Sequence, residues 1–262
     1  MNRYGLIGEK LGHSYSKIIH EQLADYSYDL IPLSKEEFAP FMEAKNFTAI
    51  NVTIPYKKDV IPYLYEISDA AKNIGAVNCI VNKDGKLFGH NTDYAGFLYT
   101  LRNNNIKITG EKVLVLGNGG AAKAIVAALS SLNPKELITV KYKEEPGVIT
   151  YEQAAKMHAD ASVIVNTSPV GMYPNIDASP MDIAPYKALT AVVDLIYNPA
   201  TTKLLAQAKE RGITAVNGLE MLVAQAKYAA ELFLDTKIPD ERIEEISILL
   251  RRRLTEKEEA EV

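Results

Sequence analysis

A glycine-rich turn is the feature whose residue types and spacing point most directly to chemistry. It reads Gly117-x-Gly119-x-x-Ala122. Glycines let the backbone approach phosphate groups closely, and a helix beginning there offers free N–H groups and a positive dipole end. An almost wholly apolar strand, Lys112 to Leu116, precedes the turn, and a helix through Ala128 follows it, which is the context this motif requires. The sequence therefore predicts a site for a dinucleotide pyrophosphate; a tight strand-to-helix turn in an ordinary α/β domain is the alternative.

The end of the next predicted strand, Leu137 to Val140, is where such a site distinguishes two common cofactors. An acidic residue there binds the ribose hydroxyls of NAD, whereas a basic residue accommodates the 2′-phosphate of NADP. The residues that follow are Lys141, Tyr142 and Lys143, with no acid in the first position. This favours NADP (as NADPH in the reducing direction) and keeps NAD as the second choice. Since exposed lysines are common on any surface, two solvated side chains are the alternative.

Four short clusters in the first part of the chain carry polar groups that a plain core would not need. They are Gly12-His13-Ser14-Tyr15-Ser16, Asn51-Val52-Thr53-Ile54-Pro55-Tyr56-Lys57, Gly75-Ala76-Val77-Asn78 and Asn91-Thr92-Asp93. Asn78 is disfavoured by β propensity in a strand between apolar neighbours, which suggests a role other than packing. Lys57 stands at a predicted helix start, where a cation is mildly unfavourable, so it is a candidate functional residue as well.

The elements that must position these clusters alternate between short β-branched runs and amphipathic helical stretches. Such alternation predicts an α/β fold with a largely parallel sheet and helices on its faces. In the first part, the predicted strands are Tyr4 to Gly8, Tyr28 to Leu33 and Thr48 to Ile54, and the predicted helices are Ser16 to Asp25, Lys35 to Ala44 and Tyr94 to Asn104. Lys83-Asp84-Gly85 is a turn signal, so residues 77–81 and 86–89 are expected to pair as a hairpin and to make the sheet mixed.

The second part continues the alternation and ends in helices. Beyond the strands already named, Ser162 to Val165, Ala191 to Leu195 and Thr214 to Val216 are predicted strands. A helix from about Thr201 to Arg211 is predicted between the last two of these strands. Two more helices, Leu219 to Leu234 and Pro239 to about Leu254, are predicted at the C-terminus.

Composition restricts the class of protein. With 29 basic and 33 acidic residues the net charge is −4, which argues against a strongly basic nucleic-acid binder. The single cysteine, Cys79, cannot form an intramolecular disulfide, and no apolar stretch approaches the length of about 18 residues that a membrane span needs. The N-terminal segment has no long apolar run, so we expect no signal peptide and a cytoplasmic location. The histidines, His13, His20, His90 and His158, show no metal-ligand spacing, so no metal site is expected.

Taken together in their order, these segments resemble the shikimate dehydrogenase family. The resemblance continues beyond the four clusters with the segments Gly117 to Ala121, Asn166-Thr167-Ser168-Pro169-Val170-Gly171-Met172, Asp194-Leu195-Ile196-Tyr197-Asn198-Pro199 and Gly218-Leu219-x-Met221-Leu222-Val223-x-Gln225. It spans residues 5 to about 230. Several long motifs in a fixed order are far more specific than any one of them.

The resemblance implies an enzyme of two α/β domains with a cleft between them. Residues 1–94 and 218–262 would form the mixed α/β substrate domain, and residues 95–217 a Rossmann-like, doubly wound domain that binds NADP. The implied reaction is the reversible, NADP-dependent reduction of 3-dehydroshikimate to shikimate in aromatic amino-acid biosynthesis, by a monomer or homodimer. An NAD-dependent quinate/shikimate dehydrogenase is the nearest alternative, and a non-catalytic shikimate-binding homologue is the alternative from another class.

The resemblance also implies roles for individual residues. Lys57 and Asp93 would be the catalytic pair, because a partly buried lysine beside a carboxylate can polarise a ketone oxygen and exchange a proton with it. The other implied substrate-binding residues are Ser14 and Ser16 for the carboxylate, Tyr197 as a third donor to it, and Thr53, Asn78 and Gln225 for the hydroxyls. The implied cofactor-binding residues are Gly117, Asn118, Gly119, Gly120, Ala121, Lys141, Tyr142, Lys143, Thr167 and Gly218. Helix capping is the local alternative for Ser14, Ser16 and Asp93.

Two departures from the family pattern are visible. Lys17 stands where the family usually has proline, which adds a charge near the implied carboxylate site. Lys141-Tyr142-Lys143 replaces the usual Asn-Arg-Thr, and the stretch from there to Asp160 is short, so the doubly wound domain is expected to lack one helix. The missing arginine would stack on adenine and pair with phosphate; two lysines replace its charge but not its plane.

Overall fold

The computed structural model describes residues 3–12 and 14–260, so His13 lies outside the described residues. Contacts between Cα atoms divide the chain into two units. The first unit comprises Met1–Gly96 and Val223–Ile246, and the second unit comprises Phe97–Leu222 and Ser247–Val262. The domain boundaries at residues 94 and 217 stay a prediction.

The sheet of the first unit is mixed, as predicted. Its strands are β1 (Tyr4–Gly8), β2 (Tyr28–Pro32), β3 (Ala49–Val52), β4 (Glu66–Ile67), β5 (Cys79–Lys83) and β6 (Lys86–His90), in the order β2-β1-β3-β5-β6-β4. β1 pairs in parallel with both β2 and β3, whereas β5 is antiparallel to β3 and to β6. The predicted hairpin is confirmed, and its two-residue turn has positive φ at both Asp84 and Gly85, which suits the twist of the flanking strands.

The helices around this sheet begin at recognisable caps. They are α1 (Ser16–Leu23), α2 (Lys35–Ala44), α3 (Asp69–Ile74) and the start of α4 (Thr92–Asn103), with a short 3₁₀ turn over Ile61–Tyr63. Ser34 and Glu37 form a capping box at the start of α2, whose bounds match the prediction. α3 was not predicted from the sequence, although Ser68 caps its start and Gly75, at φ 68°, ends it.

Strand register brings several polar segments to one edge of the first sheet. Ile7 near the end of β1 pairs with Val52 at the end of β3. Cys79 at the start of β5 pairs with both Asn51 and His90. The segments that follow β1, β3 and β6, and the one that precedes β5, therefore emerge side by side.

The second unit contains a wholly parallel sheet. Its strands are β7 (Lys112–Leu116), β8 (Glu136–Lys141), β9 (Val148–Thr150), β10 (Val163–Asn166), β11 (Ala191–Asp194) and β12 (Thr214–Val216), in the order β12-β11-β10-β7-β8-β9. The helices that connect them include α5 (Gly120–Ser130), α6 (Tyr151–Met157) and α7 (Lys203–Glu210). This order, which reverses on either side of β7, is that of a doubly wound nucleotide-binding fold and confirms the predicted class. The last helices are α8 (Leu219–Leu234) and α9 (Glu241–Ala260), and Pro239 precedes α9 rather than lying inside it.

The connection from β8 to β9 is the shortened part of the second unit. Within the described chain no helix lies between them, and residues 142–147 alone join two parallel strands. A parallel crossover ordinarily needs a dozen or more residues. In this chain a short connection is enough, because β9 pairs only with the last three residues of β8, beginning with Thr139 opposite Val148.

Each sheet is covered by its own apolar core. In the first unit the core includes Phe38 and Tyr56, whose rings stack with centroids 4.3 Å apart. In the second unit β7, which is buried from Val113 to Leu116, and the wholly buried β10 supply Leu114 and Ile164 to the core under the helices. Among the described residues, none of the helices has the length and apolarity that crossing a bilayer demands.

Candidate active site

Lys57 and Asp93 form an ion pair in the first unit. The ammonium of Lys57 donates a hydrogen bond of 2.6 Å to Asp93 Oδ2, and the two side chains are 22% and 17% exposed. Lys57 lies in the turn after β3, where its carbonyl accepts from the amide of Val77. Asp93 lies in the first turn of α4, where a carboxylate also interacts favourably with the helix dipole. The fold therefore joins two residues that are 36 positions apart.

The start of α4 explains why Asp93 is available to Lys57. The side chain of Asn91 accepts from the amide of Tyr94 and donates to the carbonyl of Ala76 at 3.0 Å. Asn91 thus caps the helix, and the alternative that Asp93 is the cap is wrong. The sequence signal was present, since asparagine is among the preferred N-cap residues and stands first in the cluster.

A chain of hydrogen bonds connects Asn78, Thr92 and Gln225. Asn78 is 3% exposed, and its Oδ1 accepts from the backbone amide of Thr92 at 2.7 Å and from its hydroxyl at 3.3 Å. The Thr92 hydroxyl also lies 3.4 Å from Gln225 Oε1 on α8. No acceptor among the described residues takes the Asn78 Nδ2 donor. Asn78 and Gln225 therefore both lie beside Thr92, the residue that precedes Asp93.

A second buried layer supports Asn78 and was not identified from the sequence. The hydroxyl of Tyr28 donates to Asn51 Oδ1 at 2.8 Å, and Asn51 Nδ2 donates to the carbonyl of Asn78 at 3.1 Å. The ring of Tyr28 stacks on His20 with centroids 4.0 Å apart. Burial lowers the pKa of His20 to about 3, so this imidazole is neutral. The available signal was the polar Asn51 within a strand whose residues are all buried.

Ser14 and Ser16 lie together just before and at the start of α1. The Ser14 hydroxyl accepts from the amide of Ser16 at 3.2 Å and lies 3.1 Å from its hydroxyl. The N-cap position of α1 belongs to Tyr15, which makes no side-chain cap bond, so neither serine occupies it. Lys17 donates to Glu21 at 2.6 Å and to the carbonyl of Tyr28 at 2.8 Å. Its charge is therefore compensated along α1 and β2.

Thr53 follows β3 at the same sheet edge. Its amide donates to the carbonyl of Ile7 at 2.9 Å. A Cβ atom at Gly8 would lie 2.6 Å from Thr53 Cγ2 and 2.9 Å from Leu11 Cδ2. Glycine at the end of β1 is thus what lets the β1 loop pass close to Thr53.

The glycine-rich turn of the second unit has the conformation that its motif predicts. Gly117 has φ 100°, and a Cβ atom there would lie 2.9 Å from the Thr167 hydroxyl. Gly119 precedes the first residue of α5, and an added Cβ at Gly119 or Gly120 would meet open space. The exposed helix start and the glycine cradle next to Thr167 fit a pyrophosphate, for which close backbone approach and free N–H groups are needed.

The predicted cofactor-selecting lysine has a carboxylate partner. Lys141, the last residue of β8, donates a 2.6 Å hydrogen bond to Glu145 Oε1. The hydrogen bond to Glu145 raises the pKa of Lys141, and the same bond lowers the pKa of Glu145. The ring of Tyr142 is 72% exposed, with the ammonium groups of Lys141 and Lys143 at 6.0 Å and 5.8 Å from its centroid.

Asp194, at the end of β11, is a buried carboxylate that belongs to a segment of the family resemblance but was given no role from the sequence. It accepts from Asn166 Nδ2 at 2.9 Å, from the Thr202 hydroxyl at 2.7 Å and from the amide of Ile196 at 3.1 Å. Burial raises its pKa to about 6, against the opposing effect of these donors. Asp194 therefore anchors the segment between β11 and α7.

Two further residues of the predicted site, Gly218 and Tyr197, lie in the second unit. Gly218 precedes α8, and a Cβ atom there would lie 1.9 Å from the carbonyl oxygen of Leu195, so this position requires glycine. Tyr197 is half-buried in the second unit, and its role toward the carboxylate stays a prediction. Among residues 3–12 and 14–260, no three His, Cys, Asp or Glu side chains converge as metal ligands would.

Known proteins similar to this chain bear on what these sites do. The family model described as the shikimate dehydrogenase substrate binding domain matches residues 6–80. A shikimate dehydrogenase (NADP(+)) of Clostridium beijerinckii is 40% identical over 255 residues, which cover 91% of this chain and 94% of the relative.

Solved structures agree. The crystal structure of a chorismate mutase/shikimate 5-dehydrogenase fusion protein from Clostridium acetobutylicum is 38% identical, with a TM-score of 0.91 over 97% of this chain and 99% of that one. A shikimate 5-dehydrogenase from Thermus thermophilus, in complex with NADP(H) and shikimate, is 29% identical, with a TM-score of 0.84 over 97% of this chain and 100% of that one. The chain therefore belongs to the shikimate dehydrogenase family.

Proposed function

We propose that this chain catalyses the reversible, NADP-dependent reduction of 3-dehydroshikimate to shikimate, a step of aromatic amino-acid biosynthesis. The observation that carries the proposal is the partly buried Lys57–Asp93 ion pair, with the Asn78 and Gln225 side chains gathered beside the start of α4. A surface lysine that contacts only solvent does not require a partly buried carboxylate partner.

Reduction of a ketone requires a hydride at carbon and a proton at oxygen. Bound NADPH supplies the hydride. The Lys57 ammonium supplies the proton to the oxygen, and in the reverse direction the neutral amine accepts it. Asp93 holds Lys57 in one orientation. We assign the free Asn78 Nδ2 donor, Gln225 and Thr53 to the substrate hydroxyls.

The substrate carboxylate needs short donors close together. Ser14 and Ser16 have hydroxyls 3.1 Å apart, just before and at the start of α1. We assign them to the carboxylate and keep Tyr197 as a proposed third donor. The glycine turn and Thr167 are assigned to the pyrophosphate, Gly218 to close packing near it, and Lys141 with Lys143 to the 2′-phosphate of NADP.

Neither alternative is favoured. The curated relatives are NADP(+)-dependent enzymes, which argues against an NAD-dependent quinate/shikimate dehydrogenase. The intact Lys57–Asp93 pair argues against a non-catalytic binding protein, because binding alone does not require a proton donor.

We also propose that residues 1–94 with 218–262 are the substrate domain and residues 95–217 the NADP domain. A cytoplasmic location is consistent with the one cysteine, Cys79, being buried and unpaired. A small-molecule substrate is the proposed partner, and monomer and homodimer are both retained.

The test is shikimate-dependent reduction of NADP and of NAD by the purified chain, each titrated to saturation. Turnover with NADP at the higher kcat/KM is expected. Turnover with NAD alone, together with quinate oxidation, would assign the chain to the quinate/shikimate class. No turnover from folded protein that still binds shikimate would make it a binding protein.

A further inference from the structure

The shortened connection between β8 and β9 contains a carboxylate that the proposed reaction does not use. Glu145 Oε1 accepts from Lys141 Nζ at 2.6 Å. A hydrogen bond with the side chain of Asn118, in the glycine-rich turn, also lowers the pKa of Glu145. Glu145 therefore interacts with the strand end that would meet the adenosine ribose and with the turn that a pyrophosphate would approach.

The backbone of Glu145 is fixed by a tight turn. The amide of Val148 donates to the Glu145 carbonyl at 2.9 Å, and the two central residues are Pro146 and Gly147, the latter at φ 76°. Proline followed by a glycine with positive φ is the signature of a type II turn. Since the connection has no helix, this turn is what holds the carboxylate at the end of β8.

The charge of Glu145 has opposite consequences for the two nicotinamide cofactors. In a doubly wound fold the 2′ position of the ribose lies at the end of the second strand, here at Lys141. A 2′-phosphate carries negative charge, so it must share the Lys141 ammonium with Glu145 and is repelled by the carboxylate. A ribose 2′-hydroxyl is neutral and can donate to a carboxylate.

We propose that Glu145 is a specificity-determining residue, which lowers the preference of this chain for NADP over NAD by pairing with Lys141. The inference rests on the proposed function and deepens it. Lys143 supplies an attraction for the 2′-phosphate that Glu145 does not cancel. Among the described residues, Lys143 forms no ion pair and only flanks the Tyr142 ring. The preference for NADP is therefore reduced and not abolished.

The experiment measures binding of NADPH and of NADH by isothermal titration calorimetry, without shikimate, so that its readout is independent of turnover. The variants are Glu145→Gln and, as matched control, Glu144→Gln, whose carboxylate is exposed and, among the described residues, accepts from Gln153 alone. Glu145→Gln is expected to raise the ratio of the NADH to the NADPH dissociation constant about fivefold, the scale of an exposed ion pair. Glu144→Gln is expected to change it less than twofold.

A second pair of proteins tests the route through Lys141. In the Lys141→Ala background, adding Glu145→Gln is expected to give less than half of the fold-change seen with Lys141 present. An unchanged ratio in Glu145→Gln, or an equal change in Glu144→Gln, would overturn the inference while leaving NADP binding and the proposed function intact. Failure of every variant to bind either nucleotide would overturn both.

Discussion

The two units contain lysine–carboxylate pairs that have the same length and very different surroundings. Lys57 and Asp93 are 2.6 Å apart, and so are Lys141 and Glu145. The first pair joins segments 36 residues apart beside buried hydrogen bonds. The second joins the last residue of β8 to a residue four positions further along, in the following loop, with side chains 30% and 42% exposed. Distance alone therefore does not distinguish the pair that we propose for proton transfer from the pair that we propose to affect the choice of nucleotide.

What differs is how each pair is held. Asp93 is fixed by a helix that Asn91 caps, and its neighbour Thr92 is bonded to buried Asn78. Glu145 is fixed by one turn and is open to solvent. Exposed ion pairs contribute little to stability because water competes for both partners. We therefore expect substitutions in the first pair to affect catalysis, and substitutions in the second to affect which nucleotide binds.

The largest expected effect is on turnover. Lys57→Ala should lower kcat by about 10² or more, the scale of lost acid–base catalysis. The matched control is Lys58→Ala, since Lys58 is the exposed neighbouring lysine and should leave kcat near the wild-type value. The measurement is shikimate oxidation at saturating NADP. Near-normal turnover of the Lys57 variant would break the distinction between the two pairs.

Asp194 provides a third carboxylate, buried among neutral donors. Because its pKa rises from an ordinary 3.8 to about 6, the folded state binds more protons than the unfolded state between those values. Its contribution to the free energy of unfolding is therefore present at low pH and is lost, by up to about 3 kcal/mol, as pH rises through 6. Asp194→Asn should remove this slope.

Urea unfolding of wild type and Asp194→Asn between pH 4 and 7.5 measures the difference. Asp177→Asn is the control, because the Asp177 side chain is 94% exposed. The stability of the wild type relative to Asp194→Asn should fall across this window, and that relative to Asp177→Asn should stay nearly constant. Parallel curves for all three proteins would show that burial does not govern Asp194.

Much of the fold could be predicted from the sequence where the apolar pattern was long and its ends were marked. The strand Lys112–Leu116 and the helix Lys35–Ala44 agree to the residue. The helix α6 was missed because it is short and follows an unusual connection. The capping box of Thr150 and Gln153 is the signal that could have located it.

Motifs in the sequence predicted the residues of the candidate site. They did not predict the hydrogen bonds that support those residues. Nothing local in the sequence indicates that Asn51 bonds the carbonyl of Asn78, because that contact depends on the pairing of β3 with β5. Likewise, the bond between Lys141 and Glu145 depends on the turn at Gly147. Long-range register and loop geometry are what the residue pattern leaves undetermined.

A smaller effect is expected at the serine pair. Ser14→Ala should raise the KM for shikimate about tenfold with little change in kcat, because a hydrogen bond to a charged group is lost. Shikimate methyl ester, which lacks the carboxylate charge, is the control substrate, and its KM should differ less between the two proteins. An unchanged KM for shikimate would remove Ser14 from the carboxylate site.

The smallest expected effect is on the free energy of unfolding, when one tyrosine hydroxyl is removed from each of the two units. Tyr28→Phe removes the hydroxyl that donates to Asn51 and leaves a buried acceptor unpaired, at a cost of about 1–2 kcal/mol in the free energy of unfolding. Tyr142→Phe removes a hydroxyl from an exposed ring and should leave that free energy unchanged within the error of urea unfolding. Equal effects would mean that the buried layer under Asn78 contributes no more to stability than the exposed loop. A cost confined to Tyr28→Phe would show that buried hydrogen bonds stabilise the layer under Asn78, whereas the exposed Tyr142 hydroxyl contributes nothing measurable to stability.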